Sequence, residues 1–191
     1  IVVALLASMA LQGEREHLVE QAKRHESEDN LLEAVQNHET LLKYDPDNAN
    51  SHVELGRLWA LLEERDESLR YYQVGIELFV AQGQEDRAAE AADEMGRFWR
   101  GTRLPAATRF RLASYLEEAG DPVRAIGAFR AIVGSDPESE EAQMSLLKIA
   151  QLQADASSDA DAAETLSEFL KRYPDSEWRA FAEYTLKKAR G

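Results

Sequence analysis

The sequence predicts an all-α fold of antiparallel helix hairpins, and three observations lead to it. Amphipathic segments with helical spacing fill most of the 191 residues, which include only five prolines. Similar segments recur about every 34 residues, and such a period is typical of a repeat architecture. Three of them end in an acidic turn that contains Pro46, Pro137 or Pro174. Proline ends a helix because it lacks the amide hydrogen and restricts the residue before it.

Four repeats are predicted, each made of two helices and a short turn. The third is the clearest copy, because Gly120 stands between its helices, where a permissive backbone lets the chain reverse. The fourth needs three additional residues, which we expect in the turn DASSDADA. The repeats cover residues 15–48, 49–82, 106–139 and 140–176.

Two further helices complete a repeat domain that spans 13–191. Between the second and third repeats, apolar residues from Ala88 to Phe98 follow helical spacing and predict one irregular helix over 85–99. After Pro174, capping residues and a basic end predict a helix over 177–190. A terminal helix of this kind shields the last apolar face of a repeat array.

The interlocking positions of the second and third repeats resemble those of the tetratricopeptide repeat (TPR) family. That family has a large residue and Leu-Gly or Leu-Ala in its first helix, helix A, followed by small, aromatic, small and proline positions through helix B. The resemblance implies that the hairpins stack into a right-handed superhelix. It also implies a scaffold that binds other proteins, with the inward-facing residues of helix A lining a concave groove. The matching residues are Leu55, Gly56, Trp59, Ser68, Tyr72 and Gly75, then Leu112, Ala113, Gly120, Ala125, Phe129 and Pro137.

This resemblance makes seven helix A residues the candidates for partner binding. Three cations at one repeat position form a predicted basic stripe beside three apolar residues, which suits a partner segment that is both acidic and apolar. The alternative is that these cations offset nearby carboxylates on a solvated face. The candidates are Lys23, Val53, Arg57, Phe110, Ser114, Met144 and Lys148.

Composition excludes several other functions. The formal net charge of -14 repels phosphate backbones, so we expect no nucleic-acid partner. No cysteine is present, and His17, His25, His38 and His52 lie at no ligand spacing, so we expect no metal and no cofactor. Catalytic motifs are absent, and the protein is not expected to be an enzyme.

Trp99 and Trp178 stand outside the repeat pattern. Each could cover an apolar seam or anchor a partner, and we favour packing for both.

Residues 1–12 form an uncharged apolar segment with three interpretations: the end of a transmembrane helix, a signal-peptide remnant, or a helix packed on the repeats. An apolar segment followed by repeats resembles the soluble TPR tail of bacterial membrane proteins such as some rhomboid-family members. The segment YPDSEWRAFAEYTL is similar to one in TPR lipoproteins of envelope assembly. We therefore expect a membrane-associated protein whose soluble domain lies in the cytoplasm or periplasm. A freely soluble assembly factor, or the regulatory tail of a membrane enzyme encoded upstream, is the alternative.

Overall fold

The computed structural model describes the backbone of residues 2–190 and the side chains of residues 12–190. Over this range the chain forms ten helices and no strand, which confirms the predicted all-α fold. The apolar segment 1–12 lies outside the described side chains, except for Gln12. The helices are α1 (Val2–Ser27), α2 (Leu31–Tyr44), α3 (Ala49–Leu61), α4 (Arg65–Ala81), α5 (Glu85–Phe98), α6 (Ala106–Glu118), α7 (Pro122–Ser135), α8 (Glu140–Asp155), α9 (Asp159–Arg172) and α10 (Arg179–Ala189).

The four helix hairpins and the connection between α4 and α5 share one type of turn. Each turn has three residues, and its middle residue adopts a left-handed backbone: Asp29 (φ 61°), Glu63 (φ 61°), Gly83 (φ 69°), Gly120 (φ 79°) and Ser157 (φ 60°). In the α3–α4 turn the amide of Glu64 donates to the carbonyl of Trp59 at 2.9 Å, and the amide of Glu63 donates to that of Ala60 at 3.1 Å. These two bonds satisfy carbonyls at the helix end, so the turn both ends one helix and aims the next back along it.

The chain divides into two compact units, unit 1 over Ile1–Arg103 and unit 2 over Leu104–Gly191. In unit 1 the helices α1 to α5 each pack on the next in order, and α3 also contacts α5. In unit 2 the helices α6 to α10 pack in the same way, and α6 also contacts α8. Helices that are two apart in the chain therefore lie side by side, α3 beside α5 in unit 1 and α6 beside α8 in unit 2. The predicted division into a segment and one repeat domain stays a prediction.

Unit 1 is held together where the helices of the second hairpin approach closely. Tyr72 of α4 is fully buried, and its ring lies against Gly56 of α3, where a Cβ would come within 2.7 Å of the ring. Gly75, one turn further along α4, approaches Val53 in the same way. The hydroxyl of Ser68 donates to the carbonyl of Gly56 at 2.7 Å and accepts a hydrogen bond from the Trp99 indole at 2.8 Å. Small residues at these positions let two helix backbones meet, and Trp99 packs as expected from the sequence.

Unit 2 has a continuous core around Phe129 of α7 and Phe169 of α9, both fully buried. Within this unit α8 has 16 residues, whereas α6 has 13. The turn between α8 and α9, residues 156–158, is no longer than the other hairpin turns. The expectation that the three additional residues of the fourth repeat lie in this turn is therefore wrong, because they lengthen α8 instead.

Candidate partner-binding grooves

The A-helix face of unit 1 holds an open polar pocket of about 500 Å³. Three of the predicted groove residues lie on this face, since Lys23 and Arg57 line the pocket and Val53 lines an adjoining one of about 390 Å³. Helices α1, α2 and α3 together bring in the other side chains. The polar pocket is lined by Val19, Lys23, Glu26, His38, Asn48, Asn50, Ser51, Glu54 and Arg57.

Arg57 is occupied by two carboxylates of its own unit. Its guanidinium forms ion pairs with Glu26 of α1 and with Glu54 of α3, the latter at 2.6 Å. The hydrogen bond from Arg57 holds the pKa of the Glu26 carboxyl below its ordinary value, and the same bond raises the pKa of Arg57. Arg57 therefore ties α1 to α3, which favours the alternative that cations on this face offset nearby carboxylates.

Lys23 differs from Arg57, because within residues 12–190 its ammonium group has no ion pair or hydrogen bond. It faces both the polar pocket and a neighbouring surface pocket near His17. Of the two predicted cations in unit 1, Lys23 is thus the one available to a partner's carboxylate.

His38 forms part of the pocket wall from α2 and is only 8% exposed. Burial lowers the pKa of its imidazole, an effect that nearby Glu54 and Glu26 partly offset. Its Nδ1 atom has no hydrogen-bond partner among the described residues. A neutral imidazole is therefore the stable form beside the ion pairs of Arg57.

In unit 2 the predicted groove residues of α6 and α8 are packed, half-buried or already paired. Phe110 of α6 lies against Phe129 with ring centroids 5.3 Å apart, so it belongs largely to the core. Ser114, one turn later, is half-buried. Lys148 of α8 contacts both carboxylate oxygens of Glu117 on α6, at 3.0 and 2.9 Å. Like Arg57, Lys148 joins two A helices and is already paired.

The lengthened α8 also changes the register of the predicted basic stripe. Counted back from the hairpin turn, Lys23, Arg57 and Ser114 each stand five residues before its first residue, and in α8 that place belongs to Gln151. Lys148 lies three residues earlier, so it is not the equivalent of the other two cations. By the same count Leu147 takes the place of Val53 and Phe110, which the sequence had assigned to Met144.

An apolar cleft of about 300 Å³ lies between α8 and α10. Its walls are built mainly from apolar side chains of the two helices, and Ala150 and Leu166 form its floor. Trp178 is 40% exposed and Phe181 is 56% exposed, although both are large apolar residues. The cleft is lined by Met144, Leu147, Lys148, Ala150, Gln151, Ala154, Asp155, Leu166, Trp178, Phe181 and Thr185.

Sequence reasoning missed the contribution of α10 to this cleft. Trp178 was placed outside the repeat pattern, yet it stands one repeat period after Met144, and Phe181 stands one period after Leu147. Applying the repeat period once more, beyond the fourth repeat, would have identified both aromatic residues.

Metal and membrane features were also sought in the described residues. Within them no group of three or more histidine and carboxylate side chains is placed to hold a metal ion. None of the described helices combines the length and apolar character needed to cross a bilayer.

Helix pairs of similar length, joined by one kind of turn and stacked so that their A helices share a face, define an α-helical repeat scaffold. A tetratricopeptide repeat family model matches residues 107–139 and 144–176, both in unit 2, and these two segments are similar to TPR repeats. The second match begins three residues later than the repeat period alone would place it, which agrees with a lengthened α8. A TPR fold suggests a scaffold for protein–protein interaction.

Solved structures of TPR proteins are similar to this chain. YrrB, described as a TPR protein with an unusual peptide-binding site, is 17% identical, with 87% of this chain and 90% of that chain covered and a TM-score of 0.47. PilW, a type IV pilus biogenesis factor, is 13% identical, with 93% and 86% covered and a TM-score of 0.48. The TPR2AB domain of yeast Sti1, in complex with pHSP90, is 13% identical, with 93% and 86% covered and a TM-score of 0.45. No curated protein matches the chain.

Proposed function

We propose that the protein is a non-enzymatic scaffold that binds a peptide or helix of a partner protein on the concave faces formed by its A helices. The observation that carries the proposal is the apolar cleft between α8 and α10, which leaves Trp178 and Phe181 partly exposed to solvent. Large exposed apolar surfaces are costly in water and mark interaction sites. Aromatic anchors in a preformed cleft supply much of the binding energy of an interface.

The partner segment that suits these faces is apolar with some acidic residues. Apolar side chains fit the cleft of unit 2, and a carboxylate fits beside Lys23 in unit 1. Arg57 and Lys148 are less suitable contacts, because each already binds a carboxylate of the protein itself. The preference for acidic segments therefore depends on fewer cations than the sequence suggested.

Site-specific photo-crosslinking tests the scaffold. A photoreactive amino acid replaces Leu147 in the cleft, or the exposed Lys23 in unit 1, and the crosslinked partner is identified from cells that produce the protein. The matched control is Val123 of α7, an apolar residue that is 80% exposed and lies outside both grooves. We expect one partner to crosslink at Leu147 or Lys23 and not at Val123. Equal crosslinking at all three positions would contradict groove binding.

The apolar segment 1–12 supports a second part of the proposal, that the protein is associated with a membrane and its repeat domain faces the cytoplasm or periplasm. An uncharged apolar run is costly to expose to water and is stabilised in lipid. In cell fractionation we expect the full-length protein to sediment with membranes, to resist a salt wash and to be released by detergent. Recovery in the soluble fraction without detergent would favour the freely soluble assembly factor.

A further inference from the structure

Helix α10 has an inner side and an outer face of different character. On the inner side Ala182 is fully buried and Leu186 packs on the core of unit 2. The outer face consists of five exposed residues at helical intervals: Ala180, Phe181, Tyr184, Lys187 and Lys188. Tyr184 is 71% exposed. A helix that only caps a repeat array is expected to have a polar outer face, and two exposed aromatic rings do not fit that role.

The outer face of α10 does not suit a B helix. In each hairpin a small, buried residue stands six positions before the turn, where the two helices approach closely: Ala22, Gly56, Ala113 and Ala150. One repeat period after Ala150 stands Tyr184, and one period after the buried Ile149 stands Glu183. A B helix packed as in the four hairpins would meet a tyrosine ring and a carboxylate at these places. The outer face therefore suits a contact of another kind.

Positive charge is concentrated on the outer face. Over the described residues 12–190, neither Lys187 nor Lys188 forms an ion pair. Glu183, the acidic residue of α10, lies on the flank of the helix and pairs with Arg179 at 2.9 Å. The next acidic residue, Glu177, precedes the helix. The outer face is thus a positive and aromatic surface on a chain of formal net charge -14, and this combination suits an anionic surface.

The size of the outer face favours lipid over protein as the anionic surface. Helix α10 has 11 residues, so it is about 16 Å long and about 10–12 Å across. One side of such a helix offers roughly 200–350 Å², whereas each partner of a stable protein complex buries about 800 Å². Binding to a lipid surface instead scales with the apolar area and the charge that meet it, so a face of this size still contributes.

We propose that the outer face of α10 lies against the surface of a membrane that contains anionic lipids. This inference rests on the membrane association proposed above and adds a second contact to the one made by segment 1–12. Phe181 and Tyr184 lie at the level of the lipid headgroups, a depth that aromatic side chains favour, and Lys187 and Lys188 reach the lipid phosphates. A lysine near an anionic surface strengthens binding by roughly fivefold. Because segment 1–12 already holds the protein at the membrane, a contact of this strength is sufficient.

Site-specific fluorescence in vesicles tests this proposal. The chain has no cysteine, so Ala180→Cys gives a single site for an environment-sensitive dye on the outer face and keeps its aromatic and basic residues. The control label is at Val123→Cys on α7 of the same unit, where the side chain is also exposed. The full-length protein is incorporated into vesicles of phosphatidylcholine, alone or mixed with phosphatidylglycerol. Quenching of the dye by a lipid that carries a nitroxide near its headgroup is then measured.

We expect strong quenching at residue 180 in vesicles that contain phosphatidylglycerol, less in phosphatidylcholine alone, and weak quenching at residue 123 in both. Lys187→Gln combined with Lys188→Gln should lower the ratio of membrane-bound to free α10 by about tenfold or more. The matched control, Lys43→Gln combined with Lys171→Gln, removes the same charge from exposed sites on α2 and α9 and should leave the quenching unchanged. Tyr184→Ser should also reduce the quenching, and circular dichroism verifies that each variant keeps its helicity.

Four outcomes would overturn the proposal. Equal quenching at residues 180 and 123 would mean that α10 does not contact the lipid. Equal quenching at residue 180 with and without phosphatidylglycerol would mean that the lysines do not select an anionic surface. A concentration-dependent change in dye emission without vesicles, abolished by Tyr184→Ser, would assign the outer face to a second copy of the chain. Specific crosslinking of a partner protein to a photoreactive amino acid in place of Tyr184 would assign it to that partner.

Vesicle sedimentation separates this inference from the membrane association on which it rests. If the protein sediments with the vesicles in any of these four cases, the membrane association stands and only the inference about α10 fails. If the protein stays in the supernatant, the membrane association is refuted, and the inference about α10 is refuted with it.

Discussion

Gly56→Ala is a direct test of the close approach between α3 and α4. The new Cβ would lie 2.7 Å from Cγ and 2.8 Å from Cδ2 of Tyr72, and 3.0 Å from its backbone nitrogen. Carbon atoms pack best at about 3.5–4.0 Å, so the ring or the helix must move by roughly 0.7–1.3 Å. Tyr72 is fully buried between the two helices, and its backbone as well as its ring is in the way. Neither shift is easy.

The expected magnitude is a balance of two effects. Overpacking of a well-packed core costs about 1–3 kcal/mol of unfolding free energy. Replacing glycine by alanine within a helix contributes about 0.5–1 kcal/mol in the opposite direction. Gly56→Ala should therefore destabilise unit 1 by about 1 kcal/mol. Gly96→Ala, on α5 of the same unit, places its Cβ in open space and should be neutral or slightly stabilising.

The assay is urea unfolding followed by tryptophan fluorescence in a Trp178→Phe background, where the two remaining indoles, Trp59 and Trp99, both lie in unit 1. The difference between Gly56→Ala and Gly96→Ala isolates the overpacking effect, because both share the gain from alanine. The two midpoints should differ while the slope of unfolding free energy against urea stays the same. If Gly56→Ala proves as stable as Gly96→Ala, the close approach does not constrain the hairpin.

Two other predictions concern unit 1. Ser68→Ala removes the hydroxyl that donates to Gly56 and accepts from Trp99, so it should lower the free energy of unfolding by about 1–3 kcal/mol and shift the emission of Trp99. Urea unfolding and emission spectra test this prediction, and an unchanged unfolding midpoint would contradict it. Because burial lowers the pKa of His38, the unfolded chain takes up a proton that the folded chain resists, so stability should be lost as pH falls below about 6.5. The loss measured by urea unfolding between pH 7 and about 5.5 should be smaller in His38→Gln, and an equal loss would show that His38 does not carry it.

The fold could be predicted because each repeat carries its own signals. The repeat period, Gly120 at a turn and the acidic proline turns each indicate local structure directly. Tyr72 and Phe129, predicted to fill the core from their repeat positions, are fully buried. These features depend on residues close together in the chain, and periodicity reports them well.

The binding faces could be predicted less fully, because they depend on three-dimensional packing. The sequence of the fourth repeat is equally compatible with placing its three additional residues in the turn or in helix A. Only the structure shows that they lengthen α8. That choice decides whether Lys148 is equivalent to Arg57. Arg57 pairs with Glu26, a carboxylate of another helix. Such a pair joins residues that are far apart in sequence, so no periodic pattern indicates it.

The constant hairpin turn has a consequence for how such a chain can change during evolution. The four hairpin turns and the turn over 82–84 each keep three residues, whereas the other connections range from 45–48 and 136–139 to the longer 99–105. We therefore expect insertions and deletions to be tolerated in the other connections and excluded from the three-residue turns, since there they would disrupt the left-handed backbone. A sequence alignment of related repeats should therefore be anchored on these turns and not on a uniform period. Equivalent residues of the binding faces would then stay in register.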